Sequence, residues 1–323
     1  MEEGLRELLR FDNVIGYTIS KIKYKKGVAY YLEKPTIIVF VKKKLPKEII
    51  PREELIPPVI KIGDVEYITD VVEIAQPSAI PLTQTRPAHQ IARHRPIPSG
   101  VSGAAKTSSA CTVGAFAVGP GGERYIITCS HCLARIEFSC ETGAAVGNRY
   151  LQPSPFDGGT DSDAVGIVSW AYDLMRSDVE MDLGLVMLNP EVEISPKIFG
   201  AEIPITGVRE LTFDDIGRTI LVKSGRSTGI TYAKPLGLGT SVKVYYGACG
   251  TALVSNAILT EKFIERGDSG SAVVTLGGDL IGIAFATTDK FSFVMPIAKF
   301  LPRFNLQPLL YRQSGPWGFQ LRA

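Results

Sequence analysis

The chain has 323 residues, only three of them histidine (His89, His94 and His131), and 35 Lys and Arg against 33 Asp and Glu give a net charge of +2. A hydrophobic share of 45% with 21% charged residues excludes a disordered chain, and the near-neutral balance excludes a molecule that binds polyanions over its whole surface. Any step that needs a side chain titrating near neutral pH has three candidates.

The start, Met1-Glu2-Glu3-Gly4, is acidic and carries no charged-then-apolar leader. No apolar run is long enough for a membrane-spanning helix. The expected setting is therefore soluble and cytoplasmic. Five cysteines, Cys111, Cys129, Cys132, Cys140 and Cys249, are an odd number. That argues against a fully paired framework and fits a reducing compartment.

Residues 2–10 place Leu5, Leu8 and Leu9 on one helical face. Strand-like runs follow at 14–19, 29–31 and 36–41. Prolines 46, 51, 57 and 58 punctuate the next stretch, with a helical turn expected around 49–55 and another strand at 67–74. Residues 1–80 thus read as a small α+β module. It is the basic end: between Lys21 and Lys61, ten lysines and one arginine oppose four glutamates, a net of +7 that leaves −5 for the rest. Lysines guarding sheet edges explain that charge. Nucleic acid is not an expected partner, because charge without a docking motif is weak evidence. The apolar run 36–41, the size of the module and the long connector after it suggest self-assembly or a cover over a cleft, so a homo-oligomer through this module is one expectation and a covering role the other.

Residues 81–109 read as an irregular connector containing His89 and His94, which lie among Arg86, Arg93 and Arg95. Local hydrogen bonding, or no role, is expected of these two. From Cys111 onward, strand-sized apolar runs recur every 10–15 residues between Gly, Asp, Asn or Pro. They include 113–118, 125–128, 165–170, 183–188, 219–222, 241–246, 272–276, 280–285 and 291–294. Long helical periodicity is absent, so an all-β sandwich or barrel is expected, closed by a short helix near 298–301.

The sharpest motif is Gly267-Asp268-Ser269-Gly270-Ser271, just before an apolar strand. Acyl transfer needs a hydroxyl on a tight turn and backbone N–H groups converging where an oxyanion forms. Ser269 supplies the hydroxyl. Gly267, free to take a positive φ, and Ser269 supply the N–H donors of an oxyanion hole. A plain Gly-rich turn is the alternative. A serine nucleophile also needs a base and an orienting carboxylate. His131 lies in Thr128-Cys129-Ser130-His131-Cys132, at the end of an apolar strand, and Asp182 lies in Met181-Asp182-Leu183-Gly184-Leu185, at the mouth of another.

In this order the three motifs resemble those of the chymotrypsin-like (trypsin-like) serine proteases. Gly267-Asp268-Ser269-Gly270 is similar to the nucleophile motif, with Ser271 where Gly is common. The His131 segment is similar to Thr-Ala-Ala-His-Cys, and Asp182-Leu183-Gly184-Leu185 to Asp-Ile-Ala-Leu. The order His, Asp, Ser separates the set from subtilisin and α/β-hydrolase arrangements. The resemblance implies two six-stranded β-barrels with the site between them: residues 110–205 with His131 and Asp182, residues 206–312 with Ser269, and a tail at 313–323. The segment Gly225-Arg226-Ser227-Thr228-Gly229 also resembles the Gly-Arg-Thr-Thr-Gly strand of bacterial trypsin-like proteases and of the plant Narrow Leaf type. So do residues 35–46, 56–58 and 69–72 with that group's N-terminal module.

The resemblance carries further expectations. No processing signal is visible. Asn13-Val14-Ile15-Gly16 mimics a freed amino terminus but lies far upstream, so Asp268 needs another partner or only shapes the turn, and no zymogen processing is expected. Substrate is a protein or peptide. Phe263, Phe285, Ala286 and Thr287 would line an apolar pocket for the residue on the acyl side of the cleaved bond. Cys111 would be the disulfide mate of Cys132, two buried thiols being the alternative. A zinc site from Cys129, His131, Cys132 and Cys140 is also conceivable but would consume the base. No cofactor or metal is expected. A protease-fold scaffold or binding protein with an idle site is the competing function.

Overall fold

The computed structural model describes residues 2–79, 87–108, 110–134, 136, 140, 145–174 and 178–311. Residues 81–86 of the connector, Arg86 among them, and the tail 313–323 lie outside the described residues. The fold is mainly β, and among the described residues helix is confined to short pieces such as Glu2–Arg6 and Phe300–Arg303. The turn expected near 49–55 is two 3₁₀ turns, Lys47–Ile49 and Arg52–Glu54.

Two sheets carry the candidate site. The seven-stranded sheet runs in the order Gln307–Pro308, Ala115–Val118, Arg124–Thr128, Gly184–Leu188, Ala164–Ala171, Arg149–Leu151, Ala104–Ala105. Its apolar strand residues interdigitate: Ile126, Ile127, Val186 and Val165 are all completely buried. The antiparallel register pairs Gly184 with Thr128. The end of one strand therefore lies beside the start of the other, and the residues just beyond, His131 and Asp182, emerge at the same end of the sheet.

The second sheet holds Leu221–Gly225, Ala272–Thr275, Asp279–Thr287, Phe291–Pro296, Thr251–Glu261 and Pro235–Tyr245 in that order. Ser269 precedes Ala272–Thr275 by three residues. A closed six-stranded barrel was the expectation for each half. Among the described residues the ladder is open. Pro235–Tyr245 gives one edge to Thr251–Glu261 and the other to Val14–Lys25, and a strand has only two edges to give.

The N-terminal strands thus extend the Ser269 sheet rather than standing apart from it. Val14–Lys25 pairs with Pro235–Tyr245 through Gly16↔Val242 and Tyr17↔Ser241. A Cβ on Gly16 would lie 2.4 Å from the Ser241 carbonyl oxygen, so glycine is required for the two backbones to approach. Val28–Val41 and Val65–Glu73 follow. The run 36–41, which suggested assembly, is buried inside this sheet, with Ile37, Ile38, Val39 and Phe40 inaccessible. Oligomerisation loses that support.

The two halves are tied by chemistry as well as packing. The Cys140–Cys249 disulfide joins the halves, the Cys111–Cys132 disulfide lies within the first, and Cys129 is left as a buried thiol. The odd cysteine count therefore reflects one unpaired residue and two bonds, not a set of thiols. Arg226 and Asp157 form a buried ion pair, with Nε donating to Oδ2 at 2.8 Å. Burial disfavours the Asp157 carboxylate, but Arg226 and the hydroxyls of Ser102 and Ser154 hold its carboxyl below the usual range.

Candidate active site

His131 sits in the 3₁₀ turn Ser130–Cys132 that ends the strand Arg124–Thr128. Its Nδ1 is 2.5 Å from Asp182 Oδ2, and its backbone N–H donates to Asp182 Oδ1 at 3.1 Å. Both side chains are completely buried. One carboxylate therefore fixes both the main chain and the ring of the same histidine. With Nδ1 engaged by a carboxylate, the ring is oriented with Nε2 free to act. Among the described residues Nε2 has no hydrogen-bond partner.

Ser269 is brought to the same place. Its carbonyl accepts from the Thr112 N–H at 2.9 Å and lies 3.6 Å from Cys132 Sγ, next in sequence to the histidine. The latter is a contact, because a disulfide sulfur carries no proton. Ser269 Oγ donates to the Phe285 carbonyl at 3.4 Å rather than to His131.

The turn before Ser269 is held from several sides. Asp268 is completely buried. It accepts from Lys223 Nζ at 3.0 Å, Thr228 Oγ1 at 2.7 Å, and the N–H groups of Ser227, Thr228 and Glu265 at 2.8–3.0 Å. Burial pushes the Lys223 ammonium below its usual range, while the Asp268 charge pulls it back up. The sought partner of Asp268 is thus an internal lysine. Val14, by contrast, is a strand residue, so residues 13–16 supply no free amine.

Gly267 has φ +92°, a conformation glycine tolerates and other residues resist. Ser227 Oγ donates to the Arg266 carbonyl at 2.6 Å, and Thr112 Oγ1 donates to the Gly267 carbonyl at 2.9 Å. In a trans peptide the N–H points away from its carbonyl, so the first bond aims the Gly267 N–H to the opposite side. Among the described residues neither the Gly267 nor the Ser269 N–H has an acceptor. Ser271, where glycine is common, gives its hydroxyl to the Asp268 carbonyl at 2.5 Å.

Two of the expected pocket residues meet at Ser292, whose Oγ accepts from the Phe263 N–H at 3.1 Å and lies 3.5 Å from Thr287 Oγ1. Phe263 packs in an apolar cluster with Leu221, Val273 and Ile281, while Phe285 and Ala286 belong to the main core. Thr287 ends its strand, half-buried. The four-ligand zinc set is overturned, because Cys132 and Cys140 are in disulfides with different partners. Cys129 is a poor nucleophile: burial and then the Asp182 charge push its thiol up. His94 makes local bonds, from Nε2 to the His89 carbonyl at 2.8 Å and from its N–H to Gln152 Oε1 at 2.9 Å.

Three residues escaped sequence reasoning. Thr112 bonds both Gly267 and Ser269. Lys223 partners Asp268. The ring of Tyr246 lies 6.1 Å from that of His131, and burial together with the Asp182 charge pushes its phenol well above the usual range. Only Lys223 carried a signal, as a charge within an apolar strand.

The fold and the site define a chymotrypsin-like protein with a His–Asp pair facing a serine turn across two sheets. The family model described as Trypsin matches residues 92–302, more than half of the chain; the chain belongs to that family. Solved structures similar to it include a Cellulomonas bogoriensis chymotrypsin (18% identity, TM-score 0.48) and Thermobifida fusca protease A (23%, TM-score 0.48). In both cases 66% of this chain and 98% of the other are covered. No curated protein matches the chain. Among the described residues no helix is long and apolar enough to cross a membrane.

Proposed function

We propose that the chain is a serine endopeptidase in which Ser269, His131 and Asp182 act as nucleophile, base and orienting carboxylate. The observation that carries this is the buried His131–Asp182 pair, with Nε2 unengaged, beside a turn whose Gly267 and Ser269 N–H groups are also unengaged. A rotation about the Ser269 Cα–Cβ bond exchanges the Phe285 carbonyl for His131 Nε2. Ser269 then attacks the scissile carbonyl as His131 takes its proton. The Gly267 and Ser269 N–H groups stabilise the oxyanion, and His131 returns the proton to the leaving amine. Water repeats the sequence to release the acyl group.

No zymogen processing is needed in this account, because Lys223 supplies the cation that Asp268 requires. The substrate side chain on the acyl side of the cleaved bond is apolar or small, by the character of Phe285 and Ala286. The likeness to the Narrow Leaf type rests on the residue 225–229 motif and the N-terminal segments. Cytoplasmic residence has less support than the sequence alone offered, since oxidising compartments are where disulfides persist. A scaffold with an idle site has one observation in its favour, the Ser269 hydroxyl donating to the Phe285 carbonyl rather than to His131; the buried His131–Asp182 and Lys223–Asp268 pairs at the histidine and the turn favour the enzyme. Labelling by a fluorophosphonate, with the adduct mapped by mass spectrometry, tests the proposal. An adduct on Ser269 is expected. Its absence from correctly folded wild type contradicts the proposal.

A further inference from the structure

The chain's own residues 75–79 run along the strand end nearest Ser269. The Ser78 N–H donates to the Thr287 carbonyl at 3.1 Å, and the Thr287 N–H returns a bond to the Ser78 carbonyl at 3.3 Å. This is an antiparallel bridge. On its other side the same segment bridges Tyr245 in parallel. Tyr245 N–H donates to the Pro77 carbonyl at 2.9 Å, and Ala79 N–H donates to the Tyr245 carbonyl at 3.2 Å. Flanking bonds anchor it: Ala75 N–H to Asp289 Oδ1 at 3.1 Å, and Gln76 Nε2 to the Lys243 carbonyl at 2.6 Å.

Thr287 is two residues from Phe285, whose carbonyl accepts from Ser269 Oγ. A peptidase must hold a peptide extended beside its nucleophile, and the general way to hold an extended peptide is to add it to a sheet edge through main-chain bonds. The edge closest to Ser269 is that of residues 285–287, and its Thr287 groups are already spent on Ser78. Antiparallel pairing at Thr287 puts Ala79 on the Ala286 side, nearer Ser269. Ala79 is almost fully buried, as are Ser269 and His131. Tyr246, next to the residue that grips this segment, stands against the His131 ring.

We infer that residues 76–79 are an intramolecular inhibitor, a strand of the chain itself seated between Tyr245 and Thr287 where a peptide substrate must pair. The inference rests on the serine-endopeptidase reading. Substrate reaches Ser269 only when this strand leaves. Being tethered, it competes at high effective concentration, so its own affinity need not be great.

The test uses the full chain and two probes: a small alkyl fluorophosphonate, and tetrapeptidyl phosphonates with mixed residues beside phosphorus, whose backbone needs the slot. Ser78→Pro removes the N–H donated to Thr287, and Ala79→Pro removes the one donated to Tyr245. Ser78→Ala keeps both main-chain bonds. Each proline variant is expected to react about tenfold faster with the peptidyl probes, the factor that one net hydrogen bond is worth, with the small-probe rate within about twofold. Ser78→Ala should match wild type. Equal peptidyl rates in wild type and both proline variants, with Ser269 labelled in all, overturn the inference and leave the endopeptidase reading intact. No labelling of Ser269 by either probe in any of them overturns both. A proline variant slower with both probes than wild type, while the other also fails to accelerate, likewise counts against the inference.

Discussion

Lys223 Nζ lies 3.0 Å from Asp268 Oδ2, with both side chains completely buried. The pair joins the strand Leu221–Gly225 to the turn that presents Ser269. A buried carboxylate without a cation is costly, so the shape of that turn depends on the lysine. Nothing has to be cut to provide this cation, since it is part of a sheet strand.

Removing the cation should therefore unmake the turn. Lys223→Met leaves Asp268 buried and unpaired, and breaking a buried pair costs about 3–5 kcal/mol. Urea denaturation should show a loss of that size, and Ser269 labelling should fall with it. Lys223→Met with Asp268→Asn should recover part of the stability, because no uncompensated charge remains.

Burial also sets the pH behaviour of the pair. The folded pKa of Lys223 is lowered from its ordinary 10.5. As pH rises through the folded value, Lys223 loses its proton and Asp268 its cation, so activity should fall on an alkaline limb below 10.5. The stability contribution of this group has the opposite sign. Between the folded pKa and 10.5 the unfolded chain binds more protons, and that contribution rises with pH. Labelling rate and stability measured over the same pH range should diverge. Lys223→Arg should move the activity limb upward, because a guanidinium keeps its proton.

Asp182→Asn removes the charge that orients His131 while keeping much of its shape. Turnover of a cleavable peptide should fall by about 10⁴-fold, with a circular dichroism spectrum like that of wild type. His131→Ala should lose at least as much. A fall of less than tenfold for Asp182→Asn would place the proton shuttle elsewhere.

Gly267→Ala tests the oxyanion turn. At φ +92° an added Cβ would stand 2.3 Å from Ser227 Oγ, so the peptide must move and its N–H with it. Loss of one such donor costs about 10²–10³-fold in turnover. Single-turnover acylation rates should show the loss, with substrate binding little changed.

The Cys140–Cys249 bond closes a span of 109 residues and ties the loop bearing Tyr246 to the His131 half, where Ala248 N–H also donates to the Ile136 carbonyl at 2.8 Å. Disulfides are typically worth about 2–4 kcal/mol, and loop entropy puts a span of that length at about 4.7 kcal/mol. Cys140→Ser with Cys249→Ser should lower the denaturation midpoint accordingly, and Cys129→Ser alone should leave both disulfides in place.

What was legible in the sequence is what local rules encode. Strand ends marked by His131 and Asp182 were readable because apolar runs stop there. Ser269 was readable because two glycines bracket it. The register Gly184↔Thr128 then makes neighbours of residues 51 positions apart, which no local pattern states. The run 36–41 looked like an assembly surface because periodicity does not tell a strand covered by its own chain from one covered by a partner. Lys223 carried a signal, a charge within an apolar strand, but such a charge reads as solvent-facing until the buried carboxylate opposite it is known. The Cys140–Cys249 pairing and the strand at residues 76–79 depend on contacts across long stretches of chain, beyond the reach of spacing.

The central claim is that Ser269 is a nucleophile activated by His131. The most direct measurement is the second-order rate of fluorophosphonate reaction at Ser269 in wild type and His131→Ala, with the adduct mapped by mass spectrometry. A single adduct on Ser269 in wild type, with its rate lowered by at least about 10³-fold in His131→Ala, is the predicted result. Equal rates in the two proteins, or an adduct that persists in Ser269→Ala, would contradict it.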